Sequence, residues 1–271
     1  MKENNIDFKA VCGKVIEISK IAGKYIQEQA VNFQKGQVEE KGTHNYVTYV
    51  DKSTEKMIVD YLRDLVPGAG FITEEDTETT QGKVFNWIID PLDGTTNFIH
   101  GVPLYSVSIA LQENDEIVVG VIYEPNLDEC FYAWKGGNSM LNDEIIRISP
   151  SKDFNSSLLA TGFPYYDYGR MEEYLEVFRE MMRETAGLRR LGSAAADMAY
   201  VAAGRYEGFY EYGLQPWDVA AGIILIKQAG GEVCDFQGGN NALFGKELVC
   251  GNSTVVTEMK RIISKHFKVK E

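Results

Sequence analysis

Cysteine, histidine, tryptophan and proline are scarce in this chain, with 4, 3, 3 and 7 residues respectively among 271. Cys12, Cys130, Cys234 and Cys250 lie far apart, with no C-x-x-C pair and no histidine at ligand spacing. Neither a zinc site nor a redox pair is expected, and a reducing compartment is. Positive charge is also short: 27 Lys and Arg stand against 40 Asp and Glu, a formal net charge of −13. A field of that sign repels phosphate backbones, so nucleic acid is not an expected partner. Most of these carboxylates serve solubility, and only a few need carry function. Long apolar runs are missing too. Stretches such as 222–226 are far too short to span a bilayer, and the N-terminal residues hold no signal-peptide core. A cytoplasmic protein with no membrane partner is the expectation. What is present, 44% hydrophobic residues and 26 glycines, is ordinary for a globular protein. At this length about three-quarters of the unfolded surface is buried, enough to build a deep cleft.

Apolar residues at Val11, Val15, Ile18, Ala22, Tyr25 and Ile26 step by threes and fours and predict an amphipathic helix. A polar loop separates it from a second helix after Asp51, whose buried stripe is Met57, Ile58, Tyr61, Leu62 and Leu65 and which Pro67-Gly68 ends. From 71 to 147 the pattern becomes short apolar runs at 84–89, 105–111, 117–123, 130–134 and 145–148. Glu113-Asn114-Asp115 and Glu124-Pro125-Asn126 read as hairpin turns between them. After Pro150 come a strand near Leu158, helices over 174–182 and 194–203, and a strand over 206–212. A last long helix follows Trp217 and stops at Gly230-Gly231, with strands near Val233 and Val249. These patterns predict an α+β first unit, residues 1–149, and an α/β second unit, 150–271, sharing one interface.

The most informative stretch is Trp87-Ile88-Ile89-Asp90-Pro91-Leu92-Asp93-Gly94-Thr95-Thr96-Asn97-Phe98. A strand delivers Asp90 at its end, and Pro91 turns the chain so that Asp93 points back to the same place. Two carboxylates there repel one another. A hard cation such as Mg²⁺ relieves that repulsion and can also use the Leu92 carbonyl. The same residues fit an Asx-turn in which Asp93 caps a helix beginning at Gly94. Gly94-Thr95-Thr96 offers free backbone N–H groups at a helix start to an anion, phosphate first of all. Metal beside phosphate implies metal-assisted phosphoryl chemistry. Glu74-Glu75-Asp76 reads either as a ligand cluster or as a solvated acidic loop, and Asp218 as a ligand or as a helix N-cap or first-turn residue.

Three motifs in this order and spacing, Phe71-Ile72-Thr73-Glu74-Glu75, the stretch from Trp87 to Phe98, and Pro216-Trp217-Asp218-Val219-Ala220-Ala221-Gly222 with Gly230-Gly231 downstream, resemble the inositol monophosphatase family. These are Mg²⁺-dependent, typically lithium-sensitive phosphatases of small sugar and polyol phosphates. The resemblance implies a layered α-β-α-β-α sandwich of the sugar phosphatase type, mixing α+β and α/β halves. It implies two or three Mg²⁺: one on Glu74, Asp90 and the Leu92 carbonyl, a second on Asp90, Asp93 and Asp218, and a third near Glu74. Asp51, which by itself reads as the N-cap of the second helix, would work with Thr95 to orient and deprotonate the water that attacks phosphorus in line, with no phosphoenzyme. The N–H groups of Gly94 and Thr95 would hold the phosphate, with Asp93 and Asp218 close by. Gly192, Ser193, Ala194 and Glu211 would line the sugar pocket, while Ser193 also suits a helix N-cap and Glu211 an exposed strand position. Lys41 is a candidate for a family loop lysine in the segment 34–44, and His44 and His100 read as loop residues rather than ligands.

The implied protein is a cytoplasmic, homodimeric hydrolase with inositol-1-phosphate as its foremost substrate. Fructose-1,6-bisphosphatase and histidinol-phosphate phosphatase are alternatives. So is 3′-phosphoadenosine phosphatase, which typically carries Lys-Glu where this chain has Thr96-Asn97. A non-catalytic regulatory protein with this fold is the alternative from another class.

Overall fold

The computed structural model describes residues 6–33, 38–42, 45–163 and 168–267, with backbone alone at 38–42 and 45–46. Helix α1, Phe8–Ala30, buries Val11, Val15, Ile18, Ala22 and Ile26 of the predicted stripe, and Tyr25 is half-buried beside them. The expected polar loop instead contains a hairpin of β1, Val38–Gly42, and β2, Asn45–Thr48. Helix α2, Tyr49–Leu62, begins before the expected position. Thr48 is its N-cap, and Asp51 is the third helical residue of a capping box rather than the cap itself. Ile58 and Leu62 are buried, whereas Met57, Tyr61 and Leu65 are half-buried at the margin of the core.

The first large sheet runs in sequence order through β3 (Gly70–Thr73), β4 (Phe85–Asp93), β5 (Ser106–Glu113), β6 (Glu116–Glu124), β7 (Glu129–Trp134), β8 (Met140–Leu141) and β9 (Glu144–Ile145). β3 is parallel to β4, and every other neighbour is antiparallel. Both predicted hairpin turns are present, but the strand expected over 145–148 is only the two-residue β9. The short helix α3, Thr95–His100, leaves the end of β4.

The second sheet takes β10 (Leu158–Thr161), β11 (Gly187–Arg189), β12 (Gly208–Tyr212), β13 (Glu232–Cys234) and β14 (Glu247–Gly251) in the order β11-β10-β12-β14-β13. Around it lie α4 (Met171–Glu184), α5 (Ala194–Ala202), α6 (Pro216–Gln228) and α7 (Ser253–His266). α6 opens at Pro216, before Trp217, because proline at the first helical position forfeits no hydrogen bond. It is not the last helix. α7 follows, with Asn252 accepting from the Val255 N–H at 2.9 Å as its cap and Val255, Met259, Ile262 and Ile263 turned inward. Its signal, an Asn cap before apolar residues stepping by threes and fours, is present in the sequence.

Alternation along the strands fixes the layers. Trp87, Ile89, Ile109 and Leu111 pack with α1 and α2, whereas Ile88 and Ala110 pack with α5 and α6. In the second sheet Phe209, Leu248 and Cys250 meet α5 and α6, while Tyr210 and Val249 meet α4 and α7. The result is the expected α-β-α-β-α sandwich. α6 buries every residue from Val219 to Ile226, as a helix held between two sheets must. Gly120 of β6 allows this close approach, since a Cβ there would fall 2.5 Å from Ile224 Cγ2 and 2.8 Å from the Ala221 carbonyl. Gly120→Ala is expected to cost about 1–3 kcal/mol, read as a lower melting temperature. An unchanged melting curve would mean that β6 and α6 can part without penalty.

Candidate active site

The site grows from the end of β4. Its pairing with β5 breaks register between Asp90 and Asp93, where Pro91 interrupts the ladder. Asp90 stays buried and accepts from the Leu92 N–H at 2.9 Å. The strand runs on past Asp90 and pairing resumes at Asp93, opposite Ser106, and the Asp93 carboxylate accepts from the Ser193 hydroxyl and the Ala195 N–H, both at 2.7 Å. Asp93 therefore holds the first turn of α5 at Ala195, 102 positions further on, and not the helix that follows it in the chain. The N-cap of α3 is Gly94 at φ 97°, with no side-chain cap. A Cβ at that left-handed position would press on the Gly192 and Leu104 carbonyls.

Asp218 comes from the first turn of α6, where its carboxylate accepts from the Gln215 N–H at 2.7 Å. One carboxylate oxygen each of Asp90, Asp93 and Asp218 lies within 4.8 Å of the others. Glu74 joins them because β3 is parallel to β4, so both strands end at the same edge. It is no solvated loop residue: its Oε2 is buried without a hydrogen-bond partner. Glu55 of α2 holds this turn by accepting from the N–H of Glu75 at 2.8 Å and of Thr77 at 2.9 Å. Sequence reasoning missed Glu55, whose one signal is that it shares the i, i+3, i+7 face of α2 with Ile58 and Leu62.

Crowding dominates the electrostatics. Burial first, then the charges of Asp218, Glu75 and Asp51, hold the Glu74 carboxyl well above its ordinary range. Asp90 is raised in the same way by burial and by Glu74, Asp93 and Asp218. Burial and the Asp93 charge push Asp218 up to about 8. Asp93 rises by burial to about 6, restrained by Ser193, the Ala195 amide and Arg190. An all-oxygen donor set with mutual repulsion and an unpartnered buried oxygen fits a hard divalent cation. The Leu92 carbonyl, which accepts from the Thr95 hydroxyl at 3.0 Å, is a neutral donor beside it.

Asp51 lies buried beneath this edge. Its Oδ2 accepts from the Thr48 N–H at 2.8 Å and hydroxyl at 2.6 Å, and its Oδ1 lies 3.0 Å from the Thr95 hydroxyl. Burial raises its pKa. The Thr95 hydrogen has two acceptors in reach, Asp51 and the Leu92 carbonyl, and its oxygen lone pairs can receive a hydrogen bond from a water in the cleft.

The opposite wall comes from the second sheet and α5. Gly192, Ser193, Ala194 and Glu211 all line the cleft. Ser193 both caps α5, accepting from the Ala196 N–H at 3.1 Å, and donates to Asp93. Glu211 is 8% exposed, which overturns the exposed strand position, because β12 is flanked by strands and covered by helices. Asn97, missed as a site residue, donates to the Leu104 carbonyl at 2.7 Å and the Leu191 carbonyl at 2.9 Å, tying the phosphate-loop candidate to the Gly192 turn. Arg190, Asp197 and Phe163 also line the cleft without having been expected. His100 closes α3 as its last helical residue rather than lying in a loop. His44 and the side chain of Lys41 lie outside the described residues.

A model of the inositol monophosphatase family matches residues 9–268. The chain belongs to that family. This inositol monophosphatase family member is 41% identical over 246 residues to the inositol-1-monophosphatase of Rhizobium meliloti (strain 1021), covering 90% of this chain and 92% of that protein. It is 42% identical, over the same shares of both chains, to a protein of Escherichia coli (strain K12) named Nus factor SuhB. The crystal structure of extragenic suppressor protein suhB from Bartonella henselae superposes with a TM-score of 0.90 at 39% identity, covering 95% of this chain and 100% of that one. The inositol monophosphatase family is metal-dependent and takes small phosphorylated substrates, and the Asp90, Asp93 and Asp218 cluster could bind metal in this member. Among its described residues no helix is long and apolar enough to cross a membrane.

Proposed function

We propose that this chain is a Mg²⁺-dependent phosphatase of small sugar or polyol phosphate monoesters, with inositol-1-phosphate foremost. The observation that carries this reading is the approach of Asp90, Asp93 and Asp218 to within 4.8 Å of one another beside the Asp51–Thr95 hydrogen bond. Glu74, Asp90, Asp93, Asp218 and the Leu92 carbonyl would hold two Mg²⁺, with a third near Glu74. Bound there, the ions would neutralise charge on the ester and lower the pKa of the attacking water. Thr95 accepts a hydrogen bond from that water and aligns it with phosphorus, and Asp51, whose pKa burial raises, receives the proton. The N–H groups of Gly94 and Thr95 take the phosphoryl oxygens. Attack is direct and in line, without a phosphoenzyme. Gly192, Ser193, Ala194 and Glu211 bound the polyol, with Asp93 and Asp218 near the ester. A cytoplasmic homodimer belongs to the same reading.

The test is phosphate release from inositol-1-phosphate, fructose-1,6-bisphosphate, histidinol phosphate and 3′-phosphoadenosine 5′-phosphate, with and without Mg²⁺. Release is expected to require Mg²⁺ and to be fastest on inositol-1-phosphate. A different ranking moves the substrate assignment, and no release from any ester overturns the reading. The name of the Escherichia coli relative supports a second one, a regulatory protein acting through a partner. In that case Asp93→Asn would abolish nothing in the cell, whereas the intact carboxylate set favours loss of phenotype together with loss of turnover.

A further inference from the structure

One buried carboxylate in the cleft has no part in the chemistry above. Asp197 lies in the first turn of α5, four residues after the N-cap Ser193, and lines the cleft. It is 2% exposed. The Leu191 N–H donates to its carboxylate, and Oδ1 has no hydrogen-bond partner. A fixed, desolvated carboxylate with an unused acceptor destabilises the free protein, and the charge of Asp93 nearby adds to that cost. A ligand hydroxyl in the cleft is one group that can offset that cost.

Glu211 reaches the same end of the cleft. A Cβ on Gly162 would fall 2.0 Å from Glu211 Oε2, so the missing side chain at 162 is what makes room for this carboxylate. The Gly162 carbonyl is pinned in turn by the Tyr174 hydroxyl, which donates to it at 2.5 Å. Asp197 and Glu211 are close enough for the charge of the one to act on the other, and Arg190 offsets both. Among the described residues lining the cleft, Arg190 is the single cation against Glu74, Asp90, Asp93, Asp197, Glu211 and Asp218. With divalent cations at the β4 end, the Glu211 end keeps an excess of acceptors. It suits a body that brings hydroxyl donors and repels a second phosphate.

We infer that Asp197 is a substrate-binding residue: its carboxylate, which lines the cleft, accepts a hydrogen bond from a hydroxyl of a neutral polyol body beside Glu211, and it sets a preference for polyol monophosphates over bisphosphates. This rests on the phosphatase reading above.

The experiment compares wild type, Asp197→Asn and Asp197→Leu, all with Mg²⁺, on inositol-1-phosphate, fructose-1,6-bisphosphate and p-nitrophenyl phosphate, which has no hydroxyl to offer. The expected result is a KM for inositol-1-phosphate raised about 10-fold or more in Asp197→Leu. Asp197→Asn, which keeps an acceptor oxygen, shows a smaller rise. The constants for p-nitrophenyl phosphate stay within about twofold, and kcat/KM for fructose-1,6-bisphosphate gains relative to inositol-1-phosphate. If p-nitrophenyl phosphate turns over too slowly to follow, its inhibition constant serves instead. An Asp197 that merely holds the Leu191 turn would lower kcat on all three esters alike. That result, or an unchanged KM for inositol-1-phosphate, overturns the inference and leaves the phosphatase reading standing. No release from any ester by wild type removes both. Should Asp197→Leu fail to fold, Asp197→Asn decides by the same ratios.

Discussion

Replacing Asp218 by Asn should lower Mg²⁺-dependent phosphate release by about 10²–10³-fold while raising the melting temperature of the metal-free protein. The first effect follows from charge. A metal at a phosphoryl centre stabilises the transition state by several kcal/mol, and each 1.4 kcal/mol is about tenfold in rate. The second follows from repulsion. In the metal-free protein burial and Asp93 push the Asp218 pKa up to about 8 from 3.8. Between those values the native state binds more protons than the unfolded one, so the contribution of this group to stability is fully present below about pH 4. It is lost as pH rises through about 8. Wild type without metal should therefore melt at falling temperature from about pH 5 to about pH 9, and Mg²⁺ should reverse that slope by pairing with the ionised carboxylates. Asn keeps an oxygen that can accept from the Gln215 N–H, so the start of α6 survives the change. Melting curves with EDTA and with Mg²⁺, beside phosphate release, make the check. A flat metal-free profile in wild type, or full turnover in the variant, would remove Asp218 from the metal set.

Local chemistry was legible in the sequence, and convergence across the chain was not. Asp90 and Asp93 could be picked out because a strand end, a proline and a glycine follow each other directly, and β4 and α3 form there as the pattern predicts. Where the Asp93 side chain goes was hidden, since Ser193 and Ala195 are about a hundred positions away and local rules offered the adjacent helix as its partner. Glu211 shows the same limit: a charged residue on a strand reads as exposed until both faces of its sheet prove to be covered by helices. Asn97 is a further case, because its two carbonyl acceptors come from separate loops. The β1–β2 hairpin and α7 were missed for different reasons. The hairpin carries few apolar residues to alternate, whereas α7 had both a cap and a periodic stripe in plain view.

Thr95→Ala is expected to lower kcat by about 10²–10⁴-fold with KM changed by no more than a few-fold. The substitution separates two roles that one residue combines. The Thr95 N–H, which the mechanism assigns to the phosphate, remains in Ala. The hydroxyl, 3.0 Å from both Asp51 Oδ1 and the Leu92 carbonyl, is lost. Substrate binding should thus survive while alignment and deprotonation of the water fail, and Thr95→Ser should recover most of the rate because it restores the same oxygen. Asp51→Asn acts on the same step but is the less selective probe. The carboxylate also accepts from the Thr48 N–H and hydroxyl at the start of α2, so stability falls together with rate. The rise in melting temperature on adding Mg²⁺ should be the same in Thr95→Ala as in wild type, since none of the metal carboxylates is touched. If KM rises instead and kcat holds, Thr95 binds phosphate only and the proton leaves by another route. If the Mg²⁺ response is lost as well, the hydroxyl supports the Leu92 carbonyl as a metal donor rather than the attacking water.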